Sequence, residues 1–70
     1  MNNDQKLRAI REAKRLVLKY RAKAALLRKE NRVGPSLEHA EWAVEYYLDK
    51  LCEYFECNRP ELFVVCGDIA

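Results

Sequence analysis

Few residues in this chain have types suited to catalysis, and their spacing does not assemble a catalytic centre. His39 is the only histidine, and so the only side chain that ordinarily titrates near neutral pH. Ser36 is the only serine and threonine is absent. Ser36 also follows Gly34-Pro35, where a helix N-cap is expected, so it reads as a cap and not a nucleophile. The three cysteines are Cys52, Cys57 and Cys66. Their spacing contains no CxxC pair, and the lone histidine lies far upstream, so no zinc set forms. They read as free structural thiols suited to a reducing compartment, with Cys66 the candidate for a redox or intermolecular role if exposed. His39 and Cys57 share a helix direction but lie about 27 Å apart on a straight helix. Gly34 and Gly67 are the only glycines, too few for a phosphate-cradling loop.

The carboxylates are more regular. Glu38, Glu45, Asp49 and Glu56 form a lengthwise stripe on one helix, with Glu41 and Glu53 beside it. Paired acid–base work needs two carboxyl groups in unequal environments. A solvated stripe supplies one environment for all of them. No catalytic residue, metal, cofactor or small-molecule substrate is therefore expected, and the chain reads as non-enzymatic.

Charge carries more information. Residues 1–32 hold eleven Lys/Arg against three Asp/Glu, and residues 33–70 hold two against eight. The formal net charge of +2 hides this division. Arg8, Arg11, Lys14, Arg15 and Lys29 cluster on the side of the first helix away from its apolar stripe, with Leu18 among them. Trp42 and Tyr46 are four residues apart and project together from the second helix. These eight residues are the candidate partner-binding set. A basic face interrupted by leucines suits an acidic protein surface, and exposed large aromatics anchor protein interfaces. The expected function is a small protein-interaction or regulatory module. The alternative is RNA or DNA binding, with the first helix laid along phosphates. A helix-turn-helix is not expected, because both helices are too long and lack its tight turn.

The elements that position these residues follow from periodicity. Ile10, Ala13, Val17, Tyr20, Ala24 and Leu27 are spaced 3-4-3-4-3, as are Leu37, Ala40, Val44, Tyr47, Leu51 and Tyr54. This is the spacing of helices that pack along one seam. Leu48 and Phe55 widen the second stripe. The spacing predicts an all-α domain: one helix over about 4–31, a loop at 32–36, a second helix over about 37–57 and a C-terminal segment at 59–67. A short connection favours an antiparallel hairpin. Residues 60–66 read as a short helix or turn folded back over the pair.

Seventy residues allow one domain, and chains this short are commonly helped by staples or oligomerisation. A homodimer resembling a four-helix bundle is expected, because it would bury more apolar surface than one hairpin. No stretch is long and apolar enough for a transmembrane span. Met1-Asn2-Asn3-Asp4 lacks the basic and apolar regions of a signal peptide. The expected location is cytoplasmic, without membrane contact.

Overall fold

The computed structural model describes residues 3–69. Met1 and Asn2, read above for a signal sequence, and Ala70 lie outside the described residues. Helix α1 spans Asn3–Lys29, α2 spans Pro35–Phe55 and α3 spans Arg59–Val65, followed by a 3-10 turn at Gly67–Ile69. The fold is all-α: two long antiparallel helices and one short one. Its extents of 42 × 22 × 16 Å match the length of α1, about 40 Å at 1.5 Å per residue.

Each helix end has a local cause. Asn31 adopts φ 56°, and the Arg32 and Asn31 N–H groups donate back to the Leu27 and Arg28 carbonyls at 2.8 and 3.1 Å. This double bond pattern terminates a helix through one left-handed residue, a conformation asparagine tolerates. Glu56 closes α2 in the same way at φ 52°, with Cys57 N–H donating to the Cys52 carbonyl at 3.1 Å. The start of α2 differs from expectation. Ser36 is not the cap; Gly34 is, Pro35 opens the helix, and no side chain caps it. Proline's fixed φ and missing N–H suit the first helical position, so the helix begins earlier than the serine signal implied. Gly34 has φ 157°, which an L side chain rarely adopts. Asn58 caps α3, its side-chain oxygen accepting from Glu61 N–H at 3.0 Å.

The seam holds two unlike clusters. At the end distal to the interhelical loop, Ile10, Ala13 and Val17 meet Leu48 and Leu51, and Leu62, Cys66 and Ile69 close over them. At the loop end, Ala24, Leu27, Leu37 and Ala40 pack with Tyr20 alone beside them. The first cluster has three helices and large side chains. The second has two helices and two alanines, so less apolar bulk lies between them. The buried face of α2 is also wider than the predicted stripe, with Ala43 buried on one flank and Leu48 on the other. Leu48 is buried at 3 % exposure, whereas Val44, Tyr47 and Tyr54 are half-buried. The C-terminal segment packs on the Leu48 flank and draws the core toward it. Val64 and Val65 remain exposed, so only one side of α3 folds back.

Candidate interaction surface

Trp42 and Tyr46 sit where the periodicity placed them, on the side of α2 turned from the seam. They are 59 % and 41 % exposed, and their rings stack with centroids 5.1 Å apart. The structure adds three partners. His39 stacks on Trp42 at 5.9 Å and meets Tyr20 edge-on at 5.8 Å. Tyr20 stacks on Tyr47 at 6.3 Å, and Tyr47 meets Tyr46 edge-on at 5.1 Å. Five rings thus contact one another in a closed circuit. Four come from α2, where positions 39, 42 and 46 follow i, i+3, i+7 spacing, and Tyr20 crosses from α1. Such ring pairs fix side-chain orientation beyond the effect of area alone. Cations flank the circuit: the Lys19 and Lys50 ammonium groups lie 5.5 and 5.4 Å from the Tyr20 and Tyr46 centroids. Glu53 beside Lys50, with Tyr46 next, holds the Lys50 pKa above its ordinary value.

The predicted basic cluster is divided by the structure. Arg8, Arg11, Arg15 and Lys29 are exposed, and Leu18 is 46 % exposed among them. Arg15 pairs with Glu12 one turn away; that hydrogen bond lowers the Glu12 pKa and raises that of Arg15. Lys14 does not share the fully exposed setting of its neighbours. It is half-buried and pairs with Asp68 at 3.4 Å. Arg21 on the same flank donates to the Ile69 carbonyl. Both are drawn to the C-terminal turn, which the helical wheel of α1 alone does not contain.

Other charges fasten the helices. Arg28 on α1 reaches Glu41 on α2 at 2.7 Å, joining the basic arm to the acidic arm across the seam. Arg59 binds Glu45 and Asp49 at 2.7 and 2.8 Å, tying α3 to α2. Burial pulls the Arg59 pKa down, but the hydrogen bonds to Asp49 and Glu45 outweigh it and the net shift is upward. Exposed pairs of this kind contribute about 0–1 kcal/mol each, so their main effect is on register. Between the three helices lies an open groove of about 700 Å³, lined by Ala24, Val44, Leu48 and Phe63 together with these ion pairs.

The thiols lie apart from this surface. Cys66 is 1 % exposed, which removes it as an accessible redox or intermolecular thiol. Burial pushes the Cys66 and Cys57 pKa values up. Among the described residues, no group of three or more His, Cys, Asp or Glu is placed to hold a metal ion. No helix there is long and apolar enough to cross a membrane.

Fold and surface together define a small all-helical domain whose exposed aromatic cluster and surface ion pairs are consistent with a protein-interaction surface. The chain matches no known protein family, no curated protein and no solved structure.

Proposed function

We propose that this protein is a non-enzymatic, cytoplasmic interaction module. Trp42 and Tyr46 anchor a partner protein, and the basic face of α1, centred on Arg8, Arg11, Arg15 and Lys29 with Leu18, meets acidic groups on a partner. The module self-associates, and a homodimer, which brings together four long helices, is the smallest such assembly. The observation that carries this reading is the exposure of Trp42 at 59 % within a mutually braced array of rings. An aromatic side chain already fixed in position loses little conformational freedom on binding, which favours a hot-spot role.

The test is affinity capture from the native cell, with and without nuclease, using wild type and a Trp42→Ala/Tyr46→Ala variant. The expected result is a defined protein retained through nuclease treatment and lost with the variant. Retention that disappears with nuclease contradicts the reading.

One observation favours nucleic acid as the alternative. Arg8, Arg11 and Lys29 are exposed on α1 and form no ion pair among the described residues. Free cations along one helix can contact phosphates, with binding that weakens steeply as salt rises. Gel shift at low salt, repeated with Arg11→Glu/Arg15→Glu, tests it. Binding by wild type that the reversal abolishes supports this alternative, and no binding at low salt contradicts it.

A further inference from the structure

We infer that the partner surface matched by the basic face of α1 is the outer face of α2 on a second copy of this chain, so that copies associate through unlike faces, side by side and in register. This deepens the interaction reading above and rests on it.

Two outward stripes carry the argument. On α1, read backwards, Leu26, Ala22, Lys19 and Arg15 are spaced 4-3-4. On α2, read forwards, Trp42, Tyr46, Asp49 and Glu53 are also spaced 4-3-4. All eight residues are exposed. This is the spacing at which two helices pack along a seam, repeated here on the sides turned away from the hairpin core. Laid antiparallel, the stripes place Leu26 opposite Trp42, Ala22 opposite Tyr46, Lys19 opposite Asp49 and Arg15 opposite Glu53. The apolar half of one face meets the aromatic half of the other, and the basic half meets the acidic half. Continuing toward the far end from the loop, Arg11 comes beside Glu56. At the loop end, Lys29 comes between Glu38 and His39.

The pairing is antiparallel and lines up the same ends of the helices as the hairpin does. A second copy displaced sideways, without rotation, presents its α2 to the first copy's α1 in that arrangement. Like-with-like docking of these edges is disfavoured. An α1–α1 contact sets Arg8, Arg11 and Arg15 against one another, and an α2–α2 contact sets Asp49, Glu53 and Glu56 against one another. The charge division between residues 1–32 and 33–70 thereby selects unlike faces. Such a contact leaves one free face of each kind, so association is open-ended and concentration-dependent instead of closing at two copies. The Arg15–Glu12 pair is exposed, and such a pair is weak enough to exchange for an intermolecular one.

The experiment is sedimentation of the full chain at low and high salt. Three samples are compared: wild type, Arg11→Glu/Arg15→Glu, and Glu53→Lys/Glu56→Lys. All four positions are exposed, and Asp49 is left intact because it holds Arg59. Wild type is expected to sediment above its 8.3 kDa monomer mass at low salt and to return to monomer at high salt. Each reversed variant is expected to remain monomeric alone, because its two outer faces now repel. An equimolar mixture of the two variants is expected to regain association, since each supplies the face the other lacks. Wild type that stays monomeric at every concentration and salt overturns the inference, as does either variant associating alone as wild type does. A monomeric wild type that still captures a protein through Trp42 overturns this inference and self-association, and leaves standing the reading that Trp42 anchors a different partner protein.

Discussion

Each long helix of this protein has two opposed faces, and they obey different rules. Along the seam, Val17, Ala40 and Leu51 are 0 % exposed and Leu48 nearly so. On the outer faces, Leu26 and Trp42 are 56 % and 59 % exposed among charges. Both faces of each helix have helical spacing, so amphipathic pattern alone does not separate them. What separates them is the residue mixture. The seam is apolar throughout, whereas the outer stripes change from apolar to charged along their length. A face of the first kind closes on any apolar neighbour. A face of the second kind specifies one partner and one direction. The seam accounts for the fold, and the outer faces are where partner choice is proposed to reside.

The largest expected effect comes from breaking the seam where it is thickest. Leu62→Ala removes a fully buried side chain and should cost about 2–5 kcal/mol in urea unfolding. Leu37→Ala at the loop end should cost less, because that cluster has fewer layers and can collapse more easily. Equal losses would show that the two ends of the seam are packed alike. Next is Asn58→Ala, which removes the cap of α3 and should cost about 1 kcal/mol. Glu56→Gly should act in the opposite direction. Relief of a left-handed glutamate is expected to add up to about 1 kcal/mol, less the entropy glycine returns to the unfolded chain. The smallest stability effect belongs to the outer face. Trp42→Ala/Tyr46→Ala should leave the unfolding midpoint close to wild type while removing association. A loss as large as that of Leu62→Ala would place these rings in the fold and end the distinction between the two faces.

Alkaline pH sharpens the same contrast. The Cys66 pKa is raised by burial, so the folded state holds the thiol proton more tightly than the unfolded chain. That contribution is fully present below the ordinary thiol value of about 8.5 and is lost as pH rises through the folded-state value. Stability measured by urea unfolding should therefore fall on the alkaline side, and less steeply in Cys66→Ala. An identical pH slope in that variant would remove Cys66 as a cause.

The sequence was most legible where one helix decides the outcome. The stripe from Ile10 to Leu27, the hairpin and the exposure of Trp42 and Tyr46 all follow from periodicity on a single helix. It was least legible where a third element intervenes. Lys14 reads as one more cation on the basic face until Asp68 is folded against it. Leu48 reads as the edge of a stripe until Leu62 packs beside it. Ser36 reads as a cap because its type is right, but Pro35 sets the first turn earlier. The aromatic circuit lay between these cases. Trp42 and Tyr46 are placed together by spacing on α2, whereas spacing assigns Tyr47 to the seam, and its contacts, like those of His39 and Tyr20, required the folded structure. Residue type and spacing alone also left the partner of the basic face open.

The most direct test of the division between faces is the emission of Trp42, the only tryptophan, on dilution at low salt. Trp42 lies outside the seam and in the apolar half of the proposed contact. Its emission should shift to the red as copies separate, with helix content unchanged, and the shift should be complete at the outset in high salt. Emission that is independent of concentration and salt would contradict the account, because Trp42 would then have the same surroundings whether or not a second copy is near.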